Sequence, residues 1–131
     1  MIFFQSTLIW ITQAVLVMAL VTALVDCGDP KYQPPAIVVT FDPNFSPPAS
    51  LDTGAIAGIA ADVANDPKNA GVNFTCAPTT QCGTFMPSTI ASSVPTSYQA
   101  PPAVPAAGSV TVTATSVTDP TKFVSATITV D

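Results

Sequence analysis

Few side chains in this sequence could take part in chemistry, and they are of few types. The 131 residues include three cysteines, eight aspartates, three lysines and two tyrosines, but no histidine, glutamate or arginine. Without histidine there is no Ser-His or Cys-His nucleophile pair and no imidazole ligand for a metal. Several aspartates stand beside proline or glycine, where carboxylates commonly begin turns. We therefore expect no enzymatic activity, no catalytic residue, no metal site and no cofactor.

Two of the cysteines, Cys76 and Cys82, are separated by five residues that include a proline. A loop of this length can turn back far enough to meet disulfide geometry, and exported proteins commonly oxidise such a pair. The spacing is not the C-x-x-C of a redox-active pair, and no basic neighbour activates either thiol. Two cysteines without histidine do not make a zinc site. The sequence therefore predicts a structural disulfide between Cys76 and Cys82.

The third cysteine, Cys27, follows an uncharged apolar run, residues 8–25, after a single aspartate. As a helix this run is close to the shortest that spans a bilayer. Residues 24–27 (Leu-Val-Asp-Cys) resemble a bacterial lipobox, in which the cysteine is lipidated, although Asp26 replaces the small residue usual at that position. Three alternatives stay open: lipidation of Cys27, an uncleaved signal-anchor helix, and cleavage near Ala23 that releases a soluble domain.

All three alternatives export the remainder of the chain. The sequence thus predicts a signal peptide or membrane anchor at residues 1–27, a proline-containing tether at 28–35 and one folded domain at 36–131. We expect the domain to be anchored to a membrane, in the periplasm or on the cell surface. Its predicted partners are the membrane, reached through the N-terminal segment or a lipid, and either an envelope protein or a glycan. A net charge of −5 with three scattered lysines offers no basic patch for nucleic acid.

Residues 36–131 have the pattern of short strands separated by turns. Valine or alanine alternates with threonine at residues 110–115, and a similar alternation at 123–130 follows a five-residue turn, which predicts an antiparallel hairpin. Further strands are predicted at residues 36–41, 55–64, 72–76, 84–86 and 96–100. About seven strands without an amphipathic helix indicate an all-β protein, a β-sandwich.

The alternation also predicts which side chains lie in the core. Ile59, Ala61 and Val63 are assigned to the core face of their strand, and Ala60 to the opposite face. Four side chains in different strands are predicted to be almost fully buried: Ile59, Phe74, Val112 and Ile128.

Four segments of the sequence together resemble the bacterial immunoglobulin-like domains of invasin- and intimin-type surface proteins. They are residues 71–76 (GVNFTC), 82–85 (CGTF), 96–101 (TSYQAP) and 110–117 (VTVTATSV). The resemblance covers about residues 36–131 and implies an immunoglobulin-like (Ig-like) β-sandwich with a structural or adhesive role at the bacterial envelope. A carbohydrate-binding module of the same fold is the alternative. Phe74 stands where that family often carries tryptophan, and a fold of this kind does not by itself specify a ligand.

Two features of the sequence each have two alternative interpretations, one functional and one structural. Tyr98 could stack on a sugar, or it could pack at a sheet corner with its hydroxyl bonded to backbone. The oxygen-rich turns around Asp62, Asp66 and Asp119 could hold calcium, or their carboxylates could start turns.

Overall fold

The computed structural model describes residues 32–131. The predicted leader at residues 1–27, with the lipidation candidate Cys27, and residues 28–31 of the tether lie outside the described residues. Residues 32–37 have no regular secondary structure, and the compact unit is Pro35–Asp131. Across residues 32–131, no helix is long and apolar enough to cross a membrane.

The regular secondary structure in residues 32–131 consists of β-strands, so the predicted all-β class is confirmed. The ten strands are β1 (Val38–Phe41), β2 (Ser50–Leu51), β3 (Ile56–Ile59), β4 (Ala61–Ala64), β5 (Val72–Ala77), β6 (Thr84–Met86), β7 (Thr89–Ile90), β8 (Thr96–Gln99), β9 (Ser109–Ser116) and β10 (Phe123–Val130). The predicted strands recur with small differences in their ends. The structure has three strands more than the seven expected. Two of them, β2 and β7, have only two residues each and were not predicted, and the third arises because one predicted strand is divided in two.

The strands pair in three sheets. A five-stranded sheet has the order β2-β10-β9-β5-β7, a three-stranded sheet has the order β3-β8-β6, and β1 pairs with β4. β9 and β10 form the predicted antiparallel hairpin, with Ile128 opposite Val110. β2 pairs in parallel with the end of β10, which no sequence pattern indicated.

The segment predicted as one strand at 55–64 is interrupted at Ala60. Its first half, β3, pairs with β8, and its second half, β4, pairs with β1. The backbone of Ala60 is bonded instead to a turn, because its N–H donates to the carbonyl of Phe45 (2.9 Å) and its carbonyl accepts from the N–H of Asp42 (3.0 Å). Ala60 is fully buried, so its predicted position on the outer face is wrong: a one-residue interruption of this kind breaks the two-residue period.

The core lies between the five-stranded and three-stranded sheets. The ring of Phe74 in β5 stacks on that of Phe85 in β6 with centroids 5.3 Å apart, and Phe85 in turn contacts Tyr98 in β8 at 4.8 Å. This face-to-face packing is consistent with a β-sandwich. The four predicted core residues are confirmed as buried: Ile59, Phe74, Val112 and Ile128.

The chain enters the domain at one end of these sheets and reaches Asp131 at the other. The side-chain amide of Asn65 donates to the carbonyl of Ala36 (3.0 Å), beside the turns at residues 65–71 and 117–122. We call this the tether end. Asp131 donates to the carbonyl of Leu51 (3.2 Å) beside the loops at residues 52–54, 78–83 and 101–108, which we call the loop end.

Candidate functional site

The disulfide loop closes the loop end of the domain. Cys76 lies in β5 and is bonded to Cys82, with their Cα atoms 5.6 Å apart, so the structure contains the predicted disulfide. Cys82 is buried, whereas residues 77–81 between the two cysteines are exposed. The loop is therefore fixed at both its ends and presents its middle to solvent.

Tyr98 contacts Cys82, the last residue of this loop, from the core of the domain. Its hydroxyl donates a 2.6 Å hydrogen bond to the backbone carbonyl of Cys82. The side chain of Tyr98 has no exposed surface, and burial raises the pKa of its phenol, so the proton stays in this bond at neutral pH. The structure thus confirms a buried tyrosine bonded to backbone, and the sugar-stacking interpretation of Tyr98 is wrong.

Gly83 brings the loop back against β8 at close range. Its φ is +86°, and a Cβ at this position would lie 2.1 Å from the carbonyl oxygen of Gln99. Only glycine fits both the left-handed backbone and the contact. This requirement was not found from the sequence, where a glycine after a cysteine carries no signal of close packing.

Two shallow depressions share one side chain, Thr84, and the first of them adjoins the disulfide loop. The first, of about 380 Å³, lies between the loop and the segment 101–103. The second, of about 260 Å³, lies on the outer face of the three-stranded sheet and is lined by Ile56, Met86, Ser97 and Gln99 beside Thr84. We call the two together the neutral groove, because no charged side chain lines either of them.

The side chains of the groove follow from the strand register. Ile56 pairs with Gln99, and Gln99 pairs with Thr84, so these three form one row across the sheet. Their neighbours along the chain, Ala57 and Tyr98 among them, point to the core by the two-residue period. Ile56 and Met86 are 67% and 78% exposed, which leaves two large apolar side chains in solvent beside hydroxyl and amide groups. The sequence pattern did not indicate this surface, because alternation shows which residues share a face of a strand but not which strands lie beside it.

The aspartate-rich turns at the tether end have structural bonding partners. The hydroxyl of Thr118 approaches the carboxylate of Asp66, and the backbone N–H groups of Lys68 (3.0 Å) and Ala70 (2.9 Å) donate to it; these contacts lower the pKa of Asp66. Thr118 Oγ1 is buried and makes no hydrogen bond of normal geometry, so its contact with Asp66 is weaker than the two hydrogen bonds from backbone N–H groups. Asp119 has its pKa lowered by the hydroxyl of Thr121 (2.7 Å) and by the Thr121 N–H.

These carboxylates therefore act as turn formers. Within residues 32–131, no group of three histidine, cysteine or acidic side chains is placed to hold a metal ion.

Comparisons with protein-family models, with curated proteins and with solved structures found no match to this chain. The candidate site is the loop end, where a covalently closed loop and an uncharged groove lie side by side. Its side chains can donate and accept hydrogen bonds and can cover apolar surface.

Proposed function

We propose that this chain is an exported, membrane-tethered Ig-like domain without enzymatic activity, with a structural or adhesive role at the bacterial cell envelope. The strand order supports the Ig-like part of the proposal. In that fold, strands A, B, E and D form one sheet and strands C, F and G the other. β1, β4 with β3, β8 and β6 follow one another in the order A-B-E-D, and β10, β9 and β5 follow in the order G-F-C.

The single observation that carries the proposed role is the separation of the two ends of the domain. The tether joins the domain at Ala36, at the tether end, while the disulfide loop and the neutral groove lie at the loop end. A domain held by residues 28–35 thus keeps its closed loop and groove on the side away from its attachment. Those eight residues can span at most about 29 Å when fully extended, which keeps the domain close to the membrane.

Export is supported by the disulfide and by the apolar run at residues 8–25. Disulfides persist in oxidising compartments, and Cys76 and Cys82 are joined by one. The absence of histidine, glutamate and arginine from the sequence leaves few groups for acid–base catalysis, which supports a binding or structural role over an enzyme.

A second candidate role is binding of a carbohydrate. The observation that favours it is the neutral groove, whose hydroxyl and amide side chains lie beside the exposed Ile56 and Met86. Sugars present hydroxyl groups and apolar ring faces to a protein, and a surface of mixed polarity without charge matches both.

Fractionation of cells that express the full chain and its Cys27→Ser variant tests the proposed export and membrane tethering. If Cys27 is lipidated, the original chain incorporates labelled palmitate and the variant does not. The variant should then also differ from the original chain in its electrophoretic mobility. If residues 8–25 remain as a membrane helix, both proteins stay full length in the membrane fraction. A full-length chain in the cytoplasm with Cys76 and Cys82 as free thiols would contradict export.

A further inference from the structure

We propose that the neutral groove binds an extended, uncharged glycan chain. The inference rests on the second role proposed above, carbohydrate binding, and assigns that role a site and a class of ligand. The site runs from the disulfide loop across the outer face of the three-stranded sheet.

The groove offers the two kinds of contact that a sugar needs. Thr84, Ser97 and Gln99 place hydroxyl and amide groups along it, and the amide of Gln99 is steadied by a 3.4 Å hydrogen bond to the carbonyl of Gly54. Ile56 and Met86 stand beside these groups and are largely exposed. Covering exposed apolar side chains with the C–H face of a sugar ring releases ordered water, while the polar side chains replace the hydrogen bonds that the sugar made to water.

The absence of charge from the groove selects among polymers. None of the side chains lining the two depressions is charged, although the chain as a whole is acidic with a net charge of −5. An anionic polysaccharide or a nucleic acid would therefore find no lysine to pair with in the groove and would be repelled by the rest of the domain. An uncharged polymer meets neither obstacle.

A peptide fits the same surface less well. Extended peptides usually bind a sheet by adding a strand to a free edge, which requires a run of unpaired backbone groups. The groove lies between the two edge strands of its sheet, β3 with four residues and β6 with three, and β6 is followed by Pro87, a residue without an N–H. The face of the sheet is accessible here, but both of its edges are short for taking up a peptide strand.

One wall of the groove is rigid before any ligand arrives. This wall is the disulfide loop. The disulfide closes it, the hydroxyl of Tyr98 donates a hydrogen bond to the carbonyl of Cys82, and Gly83 lies against the backbone of Gln99. A wall that is already ordered loses little conformational entropy on binding, which lets a few hydrogen bonds and two apolar side chains suffice.

Affinity electrophoresis of the purified full chain in detergent tests the assignment. The gels contain amylose, β-1,3-glucan or galactomannan as uncharged polymers, alginate as an anionic one, or no polymer. We expect at least one uncharged polymer to slow the protein and alginate not to do so. Thr84→Lys, which puts a charge where the two depressions meet, should weaken that binding by about tenfold or more.

The matched control is Thr127→Lys, which changes an exposed threonine on the outer face of the five-stranded sheet, away from the groove. It should alter binding by less than about twofold. If Thr84→Lys fails to give a cooperative thermal melt, Ser97→Lys in the same groove takes its place. No retardation in any uncharged polymer, retardation in alginate alone, or equal losses in the groove and control variants would each overturn the assignment.

The result is independent of where the protein is anchored. A membrane-bound chain that binds no uncharged polymer overturns the groove assignment and leaves the tether standing. A secreted chain that binds one through Thr84 does the reverse.

Discussion

The hydroxyl of Tyr98 donates a 2.6 Å hydrogen bond to the backbone carbonyl of Cys82, and this bond ties the middle strand of the three-stranded sheet to the closing residue of the disulfide loop. The two residues are 16 positions apart in the chain, and both are buried. The loop therefore depends on the core for its position as well as on its own covalent bond. Substitutions at Tyr98 should consequently act on loop order and on overall stability together.

Tyr98→Phe keeps the ring and removes the hydroxyl, so the carbonyl of Cys82 is left buried without its partner. We expect a loss of about 1–3 kcal/mol in the free energy of unfolding, measured by urea denaturation at neutral pH. Tyr32→Phe, which changes an exposed tyrosine, is the control and should have no measurable effect. Equal stability of the Tyr98→Phe variant and the original chain would show that the bond contributes nothing.

The same residue sets the response to alkaline pH. Burial raises the pKa of Tyr98, so its contribution to stability is complete below the ordinary tyrosine pKa of about 10 and is lost as pH rises through the higher folded value. The original chain should therefore lose stability above about pH 10 more steeply than Tyr98→Phe does. Parallel curves for the two proteins would contradict the assignment.

Phe74 is 2% exposed and stacks on Phe85, so Phe74→Ala should leave a cavity between the sheets. We expect a cost of about 3–5 kcal/mol, a large part of the stability of a domain this small. Phe123→Ala removes the same ring from a position that is 62% exposed, and should cost less than about 1 kcal/mol. Thermal melts of the two variants give the comparison, and an unchanged melt for Phe74→Ala would mean that the register of β5 is wrong.

Gly83 and Gly108 both have positive φ, but they differ in what surrounds them. A Cβ on Gly108 meets nothing within 4 Å, whereas one on Gly83 would lie 2.1 Å from the carbonyl oxygen of Gln99. Gly108→Ala should cost about 1 kcal/mol for the backbone alone. Gly83→Ala should cost about 1–3 kcal/mol more, because the loop must move off β8. Equal unfolding free energies for the two variants would show that the close approach is absent.

Acid should weaken the tether end first. The folded chain lowers the pKa of both Asp66 and Asp119, so each carboxylate contributes stability that is complete above its ordinary pKa of about 4 and is lost as pH falls through the lower folded value. The melting temperature should accordingly fall below about pH 4. The double variant Asp66→Asn, Asp119→Asn should show a shallower fall than Asp52→Asn, a change at the loop end. An identical acid slope in all three proteins would contradict the role of these turns.

The sequence predicted those parts of the fold that depend on local alternation. The hairpin of β9 and β10, the strand around Phe74 and the disulfide all follow from spacing and residue type. The change of partner at Ala60 does not, because alternation indicates which face is buried and says nothing of which strand lies alongside.

The candidate site was harder to predict, for a related reason. The groove is made by Ile56, Thr84 and Gln99, which are neighbours only after β3, β8 and β6 have paired. The Tyr98 bond was one of two interpretations that the sequence left open, and only burial decides between them.

We propose that the domain is exported, oxidised and held to a membrane through its N-terminal segment. The intact mass of the protein recovered from the membrane and soluble fractions, measured without reduction, decides whether it is. We expect the membrane fraction to contain a chain that begins at a lipid-modified Cys27, or else the full-length chain that keeps residues 8–25. Either mass should be lighter by two hydrogens because of the Cys76–Cys82 disulfide. A soluble chain that begins at Leu24, or a full-length chain with all its thiols free, would contradict this proposal.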